Sequence, residues 1–151
     1  MDQEVADRVG RLVLERYDQL MKDQEAHAKR KVIAGVVLSR DAGMQQLEVV
    51  SVSTGTKCVC GEYMSVSGTA LNDCHAEIVS RRCVLDWLYG QLEGVARGAA
   101  GELEEAEGGG YRLRGEARLH LYINTAPCGD ARIFSPHEPE EQEQGDRHPN
   151  R

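Results

Sequence analysis

The chain has 151 residues with 18 basic and 25 acidic side chains, for a formal net charge of −7. That balance excludes a uniformly basic nucleic-acid binder. It leaves room for a local basic face, because nine acidic residues fall in Glu102–Glu107 and Glu138–Asp146, which hold no Lys or Arg, and the remainder carries +2.

Length and an apolar content of 40% suit one domain with a modest core. No run approaches the roughly 18 apolar residues that a membrane span needs, so no membrane partner is expected. The opening MDQEVADRVG lacks the basic and apolar regions of a secretory leader. Five irregularly spaced cysteines make a poor exported disulfide scaffold and turn attention to metal ligation.

In chain order, Val5, Val9, Leu12, Val13, Tyr17, Leu20 and Met21 recur at helical spacing with charges between them, so residues 4–23 read as an amphipathic helix. A basic link then leads to two strands, VIAGVVL (32–38) and LEVVSVST (47–54), joined by turn residues. Thr54–Lys57 reads as a glycine-bearing loop and 61–68 as another. From Asp73 the period changes, and a buried helix is expected to about Glu93, capped by Asn72 or Asp73, with Trp87 in the core.

Residues 94–110 are mostly Gly, Ala and Glu and read as a flexible surface insertion. RLHLYINT (118–125) is a strand, APCGDA (126–131) a strand-to-helix turn, and 136–151 a polar loop. The order fits an α/β layer, a mixed sheet with flanking helices, incomplete at the C-terminus because nothing after Arg132 covers the last strand.

The chemistry lies in His75-Ala76-Glu77 at a helix start and Pro127-Cys128-Gly129-Asp130-Ala131 after a strand. Imidazole nitrogen and thiolate sulfur suit a zinc ion that activates water. Glu77, two residues from His75, is placed to carry the protons of that water. This is the H-x-E and P-C-x-x-C pattern of zinc nucleobase deaminases, except that Ala131 stands where a second cysteine is expected. Cys74 adjoins His75, Cys83 lies more than two turns down the helix, and Cys58-Val59-Cys60 is too tight for a usual zinc pair. The missing ligand is therefore expected downstream of Arg151.

Taken singly, His75 is a surface histidine, Glu77 a first-turn carboxylate and Arg81-Arg82 a snorkelling pair. HAE and PCGDA in register raise them above that reading. His120, alternating with apolar strand residues, is expected to be packed rather than catalytic.

From about Lys31 to Arg151, outside 94–110, the sequence resembles the double-stranded-RNA-specific adenosine deaminases, most closely the RNA-specific editase type. The resemblance rests on VSVSTGTKCVCGEYMS, LNDCHAEIVSRRCVLDWLYGQLE, GGYRLR, LHLYINTAPCGDARIFSPHEP and DRHPNR. It implies a cytidine-deaminase-like fold, present here as the N-terminal part of a deaminase domain within residues 1–151, with residues 1–30 as a helix and link. It implies zinc ligation by His75 and Cys128, with Glu77 as proton shuttle and a third ligand, a downstream cysteine, without counterpart in these residues.

The resemblance also implies a buried inositol hexakisphosphate lined by Asn72, Ile78, Arg81 and Arg82. It places Thr56 and Lys57 beside a flipped nucleotide, and Arg132, Arg147 and Arg151 in a loop that contacts double-stranded RNA. A nuclear location, and a homodimer formed through the full-length protein, are further expectations. The competing expectations are a tRNA adenosine deaminase and a non-catalytic, truncated RNA-binding or regulatory protein.

Overall fold

The computed structural model describes residues 3–24 and 32–128. The first helix, α1 (Gln3–Met21), turns Val9, Val13 and Tyr17 inward, while Leu20 at its end is exposed. Strand β1 (Ile33–Ser39) follows and is buried along its whole length, as its unbroken apolar run dictates. Strand β2 (Leu47–Thr54) pairs antiparallel with one edge of β1. Strand β7 (Arg118–Ile123) pairs antiparallel with the other, giving the order β2-β1-β7.

Alternation along β1 sorts the core into two halves. Ile33 and Val37 join Val9, Val13 and Tyr17 beneath α1, with Leu47, Val49, Val52 and Tyr122 packed around them. The register of β1 on β2 slips between Val36 and Val37, so that Val36 faces Ser51 and Val37 faces Val49, with Val50 as the extra residue. This bulge lets Val49 and Val52, of opposite parity, both face α1. Ser51 and Ser53 are left on the opposite face. Gly10 brings α1 close to the sheet, since a Cβ there would stand 2.7 Å from the Tyr122 ring.

The second face is covered by α2 (Ala76–Ala96). Its buried stripe, Ala76, Ser80 and Val84, is spaced by four residues and made of small side chains, so helix and strand approach closely. Trp87, expected in the core, is only half-buried, and Leu85 and Tyr89 are exposed. The apolar residues of α2 run around its circumference, and the sheet meets a single stripe of them.

Two short hairpins complete the described fold. Strand β3 (Thr56–Cys58) pairs with β4 (Asp73–His75), so the loop expected at 54–57 is in part a strand. Strand β5 (Leu103–Glu105) pairs with β6 (Tyr111–Leu113). Residues 94–110, read from composition as a flexible surface insertion, thus hold the end of α2 and strand β5. Leu103 is buried, the Gln91 amide oxygen accepts the Glu102 N–H at 2.9 Å, and Arg40 pairs with both Glu102 and Glu48. Glu104 pairs with Arg112 at 2.9 Å, so the acidic run 102–107 is partly neutralised by its own hairpin rather than fully solvated.

At the far end of the sheet His120 is buried as expected, its Nε2 2.9 Å from the Ser39 hydroxyl. Burial, and after it the charge of Arg118, holds its imidazole below the ordinary value.

Candidate active site

The site forms where β2 gives way to β3 beside the start of α2. Gly55 makes the junction: a Cβ there would stand 2.0 Å from the Cys74 carbonyl oxygen, so only glycine lets β3 cross β4 this closely. The β3–β4 register then sets Thr56 opposite His75, Lys57 opposite Cys74 and Cys58 opposite Asp73. Thr56 and His75 share one face of this hairpin, and Lys57 with Cys74 takes the other.

The expected cap, Asn72 or Asp73, is displaced. Pairing keeps the chain extended through His75, which is itself the N-cap of α2 (φ −60°, ψ 148°) and makes no side-chain capping bond. Asp73 serves the histidine instead. Its Oδ1 accepts the His75 backbone N–H at 2.9 Å and lies 2.8 Å from His75 Nδ1. Burial works to raise the Asp73 carboxyl, but these two bonds, with the charges of His75 and Arg82, bring it below its ordinary value. An ionised carboxylate only accepts, so Nδ1 carries a proton, and when the ring is neutral it is the Nε2 lone pair that is left for a metal.

His75, Glu77 and Cys128 line one cavity of about 240 Å3, with Gly55, Thr56 and Pro127 also in its wall. Glu77 comes from the first turn of α2, and Cys128, a free and exposed thiol, follows β7. The three residues expected to carry the chemistry, 53 positions apart at the extremes, are thus gathered in one place, with Thr56 beside them. An imidazole nitrogen and a thiol suit zinc. They are two donors, and among the described residues no group of three or more His, Cys, Asp or Glu is placed to hold a metal ion.

The residues expected to line an inositol hexakisphosphate pocket are not gathered in this way. Ile78 and Arg81 border a separate, largely apolar groove with Val36, Val84, Leu119 and Leu121. Arg82 turns back to β4, its Nη1 donating to the Asp73 carbonyl at 2.8 Å. The Asn72 amide is engaged with Ser65, accepting its N–H and donating to its carbonyl, both at 2.9 Å. Lys57 is exposed outside the cavity wall. Arg132, Arg147 and Arg151 lie outside the described residues.

Three contributors were missed in the sequence. In the sequence Asp73 reads as a cap, Gly55 as part of a loop, and Ser53 as an ordinary strand position. The signal for the first was a carboxylate two residues before a candidate ligand.

The sequence profile of the adenosine-deaminase (editase) domain matches residues 51–151. The chain is 53% identical over 152 aligned positions to the double-stranded RNA-specific editase Adar of Drosophila melanogaster, across 97% of this chain and 22% of that protein. It is 42% identical over 147 positions to the double-stranded RNA-specific editase B2 of Mus musculus, across 91% and 19% respectively. With the tRNA-specific adenosine deaminase 1 of Mus musculus it shares 40% identity over 97 positions, across 63% of this chain and 19% of the relative. The chain belongs to the adenosine-deaminase (editase) domain family. It spans about a fifth of the length of these relatives.

Proposed function

We propose that this chain carries the zinc-ligand and proton-shuttle side of a deaminase that converts adenosine to inosine in double-stranded RNA. The observation that supports it is the single cavity shared by His75, Glu77 and Cys128. In this reading His75 Nε2 and Cys128 Sγ hold zinc, whose chemistry when bound is to make water acidic enough to serve as a nucleophile near neutral pH. Asp73 holds the imidazole in the tautomer that this requires.

The substrate base enters the cavity flipped out of the duplex. Glu77 accepts the proton of the attacking water, delivers it to N1 of the purine, and then assists the departure of ammonia from C6. Thr56, the cross-strand neighbour of His75 in the cavity wall, contacts the flipped nucleotide in this reading. Lys57, exposed on the other face of β3, meets the phosphate backbone as a salt-sensitive contact. Arg132, Arg147 and Arg151 belong to the RNA-contacting segment in the same reading. Inositol hexakisphosphate enters it as a ligand of Arg81 and Arg82, and no step depends on it. A nuclear location and a homodimer belong to the same reading.

Two relatives whose names specify double-stranded RNA align with more than nine-tenths of this chain, whereas the tRNA-specific relative aligns with 63% of it. This favours a duplex substrate over tRNA. A non-catalytic, RNA-binding protein is the other competing reading.

Replacing Glu77 with Gln in the full-length protein separates these readings. Inosine formation on duplex RNA is expected to fall by a factor of about 10² to 10⁴ while RNA affinity stays within threefold. Undiminished editing by the Gln variant overturns the role of Glu77. Editing of tRNA but not of duplex moves the assignment to the tRNA class, and RNA binding by the unsubstituted protein without inosine formation moves it to the non-catalytic one.

A further inference from the structure

Ala76 separates the candidate ligand His75 from the candidate shuttle Glu77. It is completely buried, and strand β2 and its extension hold its main chain from both sides. Its N–H donates to the Gly55 carbonyl at 3.0 Å. Its carbonyl accepts the Ser53 hydroxyl at 2.6 Å. Ser53 is itself buried, and its oxygen lies 3.4 Å from the Ala34 carbonyl. A hydroxyl has one proton to give, and the shorter contact takes it.

A first-turn helix carbonyl also accepts the N–H four residues on, so the Ala76 oxygen is not stranded without Ser53. What the hydroxyl adds is direction. It fixes the peptide plane that joins Ala76 to Glu77, while the Gly55 bond fixes the plane that joins His75 to Ala76. One turn further along the same interface, the Ser51 and Ser80 hydroxyls bond at 2.6 Å. The hydroxyls of that pair tie the same two elements together without bonding to residues 75–77; Ser80 meets the Ala76 carbonyl only through its main-chain N–H, which Ser80→Ala keeps. Joining β2 to α2 therefore does not depend on Ser53.

We infer that Ser53 is a positioning residue for the reaction: through the Ala76 carbonyl it sets the orientation of Glu77 relative to His75. The inference rests on the proposed deaminase reading. A tilt of the 76–77 peptide swings the Glu77 carboxylate relative to the histidine ring, and misplacement by about 1 Å costs up to about 10²-fold in rate. Serine at a buried strand position, where a β-branched apolar residue packs better, fits a hydroxyl retained for where it points.

The test compares Ser53→Ala, Ser53→Thr and the control Ser80→Ala in the full-length protein, each also loaded with cobalt(II) in place of zinc. For Ser53→Ala, kcat for inosine formation is expected to fall about tenfold or more with KM for duplex RNA unchanged, and the acid limb of the pH–kcat profile to move. Ser53→Thr, which keeps the hydroxyl, returns kcat to within about threefold. Ser80→Ala lowers the unfolding midpoint as much as Ser53→Ala but leaves kcat at the wild-type value. A changed visible spectrum of the cobalt protein in Ser53→Ala places part of the effect at His75, and a fall in kcat with an unchanged spectrum places it at Glu77.

If Ser53→Ala has wild-type kcat and an unchanged cobalt spectrum, the inference is overturned while the deaminase reading stands. If the unsubstituted protein forms no inosine, that reading falls, and the cobalt spectrum alone decides: a change on Ser53→Ala supports the positioning of His75, and no change overturns it.

Discussion

Gly55 and Cys74 touch through main chain alone: any side chain at position 55 would begin 2.0 Å from the Cys74 carbonyl oxygen. Because Gly55 also accepts the Ala76 N–H, this contact sets the distance between β3 and the start of α2, and hence the wall of the cavity.

Gly55→Ala is therefore expected to cost about 3 kcal/mol, the upper end of the overpacking range, since the obstacle is backbone and not a flexible side-chain tip. Urea denaturation measures it. The same variant should also lose most inosine formation at temperatures where it remains folded. A loss of stability below about 0.5 kcal/mol would show that the two segments separate freely.

Asp73 is the partner that orients His75, through two bonds to one carboxylate oxygen. Asp73→Ala is expected to weaken zinc binding by about 10- to 100-fold, read by competition with a chromophoric chelator. Asp73→Asn, which keeps an acceptor oxygen, should fall between the two. Unchanged affinity in both variants would remove Asp73 from the site.

His120 ties stability to pH from the opposite end of the sheet. Its folded value is held low by burial and by Arg118, so at pH above its ordinary value of about 6.5 it is neutral folded or unfolded and contributes no slope. As pH falls below that, the unfolded chain takes up a proton that the folded chain refuses, and stability declines until the folded value is reached. The urea midpoint should accordingly drop between pH 7.5 and pH 5.5, and drop less in His120→Gln. Equal pH slopes in the two proteins would show that the burial of His120 is not responsible.

That His75, Glu77 and Cys128 would share one cavity was legible because HAE and PCGDA each place their members by covalent spacing, which no tertiary contact alters. The strand at 32–38 was equally readable, since VIAGVVL is a β-branched apolar run. Asp73 was not. Its move from cap to ring partner follows from β3–β4 pairing, a contact between segments 15 or more residues apart that local propensity does not encode. The bulge at Val50 escaped notice because LEVVSVST reads as a regular strand. Leu103 was lost in the composition of its surroundings: one leucine among glycines and glutamates suffices to seat a hairpin when Gln91 and Arg40 hold its base.

Strand β1 is buried on both faces and hydrogen-bonded along both edges. Its amide hydrogens can meet solvent only when β2 and β7 both leave it, so they should be among the slowest in the protein to exchange for deuterium. The β3–β4 hairpin has three residue pairs and an exposed first strand, so its amides are expected to exchange before those of that ladder. An exchange experiment therefore reads the cavity wall that bears Thr56 separately from the sheet behind it.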